Sequence, residues 1–109
     1  MDDLVSKHCS PQRGPALSRP AAENLLNQLT DWTMDAGAKE IRRTFAFKDF
    51  YGGMAFVNAV AWIAHREDHH PDLAVGYNKV TVTFSTHSVG GLSENDFICA
   101  AKIDSLLGS

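Results

Sequence analysis

Cysteine is scarce in this chain. Of its 109 residues only Cys9 and Cys99 are cysteines, far apart and at none of the spacings that a zinc site uses. A disulfide framework is therefore not expected, and a reduced cytoplasmic protein is the default reading. Long apolar runs are missing too. The longest, AVAWIA, is far too short to span a bilayer. The N-terminus is polar and holds no apolar stretch of the kind a signal peptide needs, so none is expected. Positive charge is also sparse: the formal net charge is −3, and the one basic cluster is Arg42-Arg43. A strand would split that pair between two faces. Direct nucleic-acid binding, which needs a basic stripe, is thus not expected.

What remains is ordinary for one globular domain: 44% hydrophobic and 21% charged residues in a chain long enough for a single core. Residues 1–17, with Pro11, Gly14 and Pro15 and little periodicity, read as a loose N-terminal arm. Residues 18–109 read as a single domain. Ser18 is placed to cap a helix over 19–30, with Pro20 in its first turn and Ala22, Leu25, Leu26 and Leu29 at helical spacing. Residues 31–36 and 39–47 read as a hairpin around Gly37. Ile41, Phe45 and Phe47 share one face of its second arm, with Arg43 the exception.

Asp49 is placed to cap a second helix. Its inward stripe is expected at Phe50, Met54, Val57, Ala61 and Ala64, widened by Phe56, Val60 and Ile63. Pro71 should end it near His70. LAVGYN reads as a short strand and turn. KVTVTFSTH reads as a strand with Val80, Val82 and Phe84 toward the core and Thr81, Thr83, Ser85 and His87 facing away. After the Gly90-Gly91 turn, Ser93 and Asp96 form a capping-box pattern. A third helix follows from Glu94 to Leu107, with Phe97, Ile98, Ala101 and Leu106 inward. The order is αββαββα. It predicts an α+β fold, a four-stranded antiparallel sheet with three helices packed on one face.

Two of the five histidines fall in EDHHPD, Glu67 to Asp72, and His87 lies in STHSVGGLSEND. Three readings are open. His65 and His69 are four apart on a helix, as metal ligands can be. However, a metalloprotease pattern needs Glu directly after its first His, and Arg66 stands there. Histidines near a helix C-terminus can also serve the helix dipole alone. Finally, imidazoles titrate close to neutrality, so a group of them could remove one proton and donate another. GLS is not a nucleophile elbow, and no glycine-rich phosphate loop is present. If the cluster is catalytic, proton transfer without a covalent intermediate is the natural chemistry. Asp96 reads first as a helix cap, and Trp32 and Tyr77 as packing residues.

HHPDLAVGYNKV followed by STHSVGGLSENDF resembles the signature of the pterin-4a-carbinolamine dehydratases. FAFKDF resembles the entry to that family's long helix, and Trp32 matches its early tryptophan. The resemblance covers about residues 18–107, and the arm KHCSPQRGPALS is reminiscent of bacterial members. It implies the same αββαββα fold. It implies dehydration of 4a-hydroxytetrahydropterin to quinonoid dihydropterin, in support of aromatic amino-acid hydroxylases, without metal or organic cofactor.

Carried over residue by residue, the resemblance implies His69 and His87 as the acid–base pair. It counts His70 as the third catalytic histidine, given mainly to positioning the substrate, with a share in proton transfer left open. The pterin's polar edges would meet His69 to Pro71 and the run Thr86, His87, Ser88 and Val89. Asp96 and Trp32 would be supporting residues, Asp96 by orienting a histidine besides capping its helix. Two positions depart from the family's pattern. His65 stands where an acid is frequent, and Leu73 stands where an aromatic is frequent. The family also holds non-enzymatic modules that stabilise dimers of a transcription factor, and pterin-binding relatives in molybdenum cofactor metabolism. Assembly is expected to be a homo-oligomer, a dimer or a tetramer, because a short apolar edge strand invites pairing.

Overall fold

The computed structural model describes residues 3–107. Helix α1 spans Arg19–Leu26, strands β1 and β2 span Thr33–Met34 and Ile41–Ala46, and helix α2 spans Phe50–Glu67. Strands β3 and β4 span Asp72–Val75 and Lys79–Phe84, and helix α3 spans Glu94–Leu106. Short 3-10 turns lie at Leu4–Ser6 and His87–Val89. The order of helices and strands is the expected αββαββα. All strand pairs are antiparallel in the spatial order β1-β2-β4-β3. Ile41, Phe45, Val80, Val82 and Phe84 are all buried on one face of the sheet, where the helices cover them. Thr44 and Thr81 face the other way and share a hydroxyl hydrogen bond of 2.8 Å.

Several boundaries differ from the expectation for local reasons. Helix α1 stops at Leu26 rather than at residue 30. The N–H groups of Gln28 and Leu29 donate to carbonyls only three residues back, and Asp31 turns the chain at φ 67°. That turn buries Trp32. Strand β1 is two residues long because Asp35 starts the reversal early. Its Oδ1 accepts the N–H groups of Lys39 (2.7 Å) and Glu40 (2.9 Å). Ala38, not Gly37, takes the left-handed conformation there, at φ 55°.

Asp49 caps α2 as expected, accepting the N–H of Gly52 at 2.9 Å. Phe56 and Val60 are buried as expected, together with Gly53, and Val57 and Ile63 pack against the core, but Phe50 and Ala61 are exposed. At Gly53 the helix packs onto Val80: a Cβ built there would lie 3.5 Å from a Val80 methyl, an ordinary packing distance. Helix α3 also turns a different face inward. Phe97 and Ile98 are buried as expected, and so are Cys99, Ala100 and Ile103, but Leu106 is 41% exposed. Strand β4 ends at Phe84, so His87 begins a 3-10 turn instead of extending the strand.

Arg43 lies on the core side of β2 because α3 meets it with a carboxylate. Its Nη1 donates to Asp104 Oδ1 at 2.9 Å, and its guanidinium sits 4.4 Å from the centre of the Phe45 ring. Trp32 Nε1 donates to the same carboxylate at 2.9 Å. The N-terminal segment read as a loose arm runs along α2 and α3. Leu4 is buried, and Lys7 pairs with Glu94 at 2.8 Å. No helix among the described residues is long and apolar enough to cross a membrane.

Candidate active site

The end of α2 sets the first part of the site. Asp68 adopts a left-handed conformation at φ 53° and stops the helix before Pro71 can. The chain swings out, so His69 leaves the helical line that His65 occupies. His65 is exposed and stacks on Trp62 instead, with ring centres 6.3 Å apart. The two histidines with metal-like spacing are thus not brought together. Among the described residues no group of three or more His, Cys, Asp and Glu side chains is placed to hold a metal ion.

His69 is fixed from two sides. Its ring lies parallel to Phe84 at the end of β4, 5.7 Å between centres and 9° between planes. Its Nε2 is 2.6 Å from Asp96 Oδ1. Asp96 is fully buried at the start of α3, where a carboxylate is tolerable only if its lone pairs are met. They are: Oδ2 accepts the Ser93 N–H at 3.0 Å and the Thr86 hydroxyl at 2.8 Å. Thr86 has one hydroxyl proton and spends it on Asp96. Ser93 Oγ, 2.6 Å away, must therefore donate to Thr86. The chain of donors runs one way, Ser93 to Thr86 to Asp96. An ionised carboxylate can only accept, so the His69 proton shared with Asp96 sits on Nε2. Asp96 closes the capping box expected of it and also orients an imidazole.

His70 and His87 are exposed. His70 Nδ1 lies 3.3 Å from the Pro71 carbonyl, and His87 opens the turn that follows Thr86. A cleft of about 670 Å³ brings His69, His70 and His87 together with Thr86 and Ser88. It falls in the usual range of roughly 300–1,000 Å³ for small-ligand sites. Pro71, Val89 and Trp32 do not line it. Trp32 is buried against Phe84, the residue on which His69 rests, at 6.1 Å between ring centres. The cleft also holds Asp68, Asp72, Thr83 and Ser85, which sequence reasoning did not assign to it. Asp68 and Asp72 had a signal, since they flank the histidine pair. Thr83, on β4, and Ser85, just past its end, had only their alternation on the side that the helices leave open.

Fold and cleft together define a small α+β protein with an imidazole-lined pocket at one end of its sheet. A family model described as pterin 4 alpha carbinolamine dehydratase matches residues 15–106. The chain belongs to that family, a family of hydro-lyases. It is 58% identical over 108 residues to a protein of Nitrosospira multiformis named "Putative pterin-4-alpha-carbinolamine dehydratase", covering 97% of this chain and 94% of the relative. A crystal structure from Brucella melitensis, titled a transcriptional coactivator/pterin dehydratase, matches with a TM-score of 0.81 and 35% identity. That match covers 85% of this chain and 99% of the other. A pterin dehydratase-like protein titled a RuBisCO assembly factor of the alpha-carboxysome matches with a TM-score of 0.63 and 25% identity, covering 73% of this chain and 93% of the other.

Proposed function

We propose that the chain dehydrates 4a-hydroxytetrahydropterin by histidine acid–base catalysis, with His69 and His87 as the proton-transfer pair. The observation that carries this reading is the His69 imidazole held at 2.6 Å on a buried carboxylate, in one cleft with His70 and His87. The reaction breaks the C4a–OH bond, with a proton delivered to the departing hydroxyl. It takes a proton from N5, and the electron pair left there closes the C4a=N5 bond. Water and quinonoid dihydropterin result. One group must give a proton while another accepts one, and each such group typically contributes about 10²–10⁴-fold. Asp96 holds the shared proton on Nε2 of His69, so exchange with substrate falls to Nδ1. His87 has no side-chain hydrogen bond among the described residues and is free to face the opposite end of the transfer. His70, with Nδ1 directed to the Pro71 carbonyl, keeps Nε2 for a polar edge of the pterin. A supply of substrate from aromatic amino-acid hydroxylases is part of the same reading.

The decisive experiment supplies chemically generated 4a-carbinolamine and follows its disappearance against the uncatalysed rate. Acceleration proportional to enzyme is expected. A folded protein that leaves the spontaneous rate unchanged would sink the reading. It would favour an interaction role of the kind named for the two solved relatives, a transcriptional coactivator and a RuBisCO assembly factor.

A further inference from the structure

Two imidazoles of the cleft and the buried carboxylate behind one of them come from three separate elements: His69 follows α2, Asp96 lies in the first turn of α3, and His87 opens the turn after β4. Something must hold these elements in register to within the small tolerance that proton transfer allows. Residues 9–12 touch all three. Glu67, two positions before His69, accepts the Cys9 N–H at 2.7 Å. Asn95, directly before Asp96, clamps Ser10 on both sides. Its Oδ1 accepts the Ser10 N–H at 3.1 Å, and its Nδ2 donates to the Ser10 carbonyl at 2.8 Å. Ser88, directly after His87, donates to the Gln12 carbonyl at 3.1 Å.

These are costly commitments. The Glu67 side chain is 6% exposed, and Asn95 is 7% exposed. A buried amide and a nearly buried carboxylate are both spent on the backbone of a segment with no regular structure of its own. A second cavity, about 230 Å³, has Pro11 and Gln12 in its lining and shares His69, Thr86 and Ser88 with the main cleft. The same segment therefore borders the space next to the imidazole. It also lies outside the residues that the family model matches, which begin at 15.

We infer that residues 9–12 form a strap that positions the acid–base site, with Asn95 and Glu67 as its positioning residues. The inference rests on the proposed roles of His69 and His87. Neither Asn95 nor Glu67 lines the main cleft, so they act through the strap and not on the substrate. A purely structural strap would contribute to melting temperature alone. A positioning strap sets kcat, because a misplaced imidazole weakens the transition state more than substrate binding.

The test compares wild type with Asn95→Ala, which removes the clamp from the α3 side. Ser10→Pro removes the clamped N–H from the strap side and leaves α3 untouched. For both, kcat should fall about 10- to 100-fold, as when the outer partners of a site are removed. KM should stay within about twofold, because substrate contacts are intact. The imidazole NMR signals of His69 and His87 should move in the variants without substrate. Unchanged kcat and unmoved imidazole signals in either folded variant would overturn the strap. If the wild type itself fails to dehydrate the carbinolamine, the proposed function falls. The imidazole signals then still decide whether the strap sets the geometry.

Discussion

Asp96 carries two duties that the sequence shows unequally. Its capping role is legible, because Ser93 and Asp96 stand at capping-box spacing before an apolar stretch. Its contact with His69 is not legible in the residues themselves, and only the family resemblance points to a histidine partner, since the two lie 27 residues apart and meet only when α2 and α3 pack. Asp96→Asn tests both duties. The amide presents one oxygen and one NH2. If the NH2 faces the Ser93 N–H and the Thr86 hydroxyl, buried donors oppose one another at a cost of about 1–3 kcal/mol. If it faces His69, the imidazole must switch to the tautomer that accepts at Nε2. Either way we expect kcat to fall about 10- to 100-fold, with lower thermal stability or a changed His69 tautomer in nitrogen NMR. A variant with native rate, tautomer and melting temperature would contradict the network. His87 offers the opposite case, an exposed side chain holding nothing else together. His87→Ala should lower the dehydration rate by about 10²-fold or more. Its stability should change by no more than about 0.5 kcal/mol. Wild-type rates with an intact circular dichroism spectrum would remove His87 from the mechanism.

At the scale of the element, the pattern identifies the three α-helices and four strands and the core faces of β2 and β4, but not the full inward faces of α2 and α3. Helix α2 shows why. Its apolar residues nearly encircle it, so the pattern places Phe50 and Ala61 inward alongside Phe56 and Val60, and only the latter two are buried. Gly53 packs on Val80 but carries no side chain, so it adds nothing to a pattern of hydrophobicity. The space there still admits a methyl group, at 3.5 Å from Val80 and 3.8 Å from Phe47. Gly53→Ala should therefore stabilise the fold by about 0.5–1 kcal/mol through reduced unfolded-state freedom. A lower melting temperature would mean that the helix cannot give even slightly. Helix α3 misled in another way. It is buried on more than one side because the N-terminal segment lies along it, and that segment has no periodicity to announce its docking.

Glu67 anchors this docking electrostatically. Burial pushes its carboxyl up, but the Cys9 N–H, His8 and Lys102 together outweigh burial and hold it below its ordinary value of 4.5. A depressed acid stabilises the fold fully above its unfolded-state value and loses that contribution as pH falls through the lower folded value. The melting-temperature gap between wild type and Glu67→Gln should therefore be widest near neutrality and shrink in acid below 4.5. A gap independent of pH would show that charge on Glu67 is not what holds the segment.

For the whole molecule, the sheet leaves β3 as an edge strand, and all four of its residues are exposed. Leu73 and Val75 lie on the face shared with Val82 and Val80, at 37% and 43% exposure. An unpaired, partly apolar edge of this kind favours joining to a second copy. Two β3 strands paired across a twofold axis would merge two sheets into one. The direction of the free hydrogen-bonding groups follows from a neighbour. Gly76 N–H points inward, donating to the Lys79 carbonyl at 2.8 Å. Backbone groups alternate sides along a strand, so Ala74 also points inward while Leu73 and Val75 point out. Val75→Pro should then remove an outward N–H without breaking the pairing to β4. We expect light scattering at micromolar concentration to give a wild-type species of at least twice 11.9 kDa, and Val75→Pro to shift it toward the monomer. A wild-type monomer across a wide dilution range would sink the edge-pairing argument. An oligomer that Val75→Pro leaves intact would move the interface to another surface. The exposed aromatics Tyr51 and Trp62 on α2, 80% and 61% exposed, would be the next place to probe.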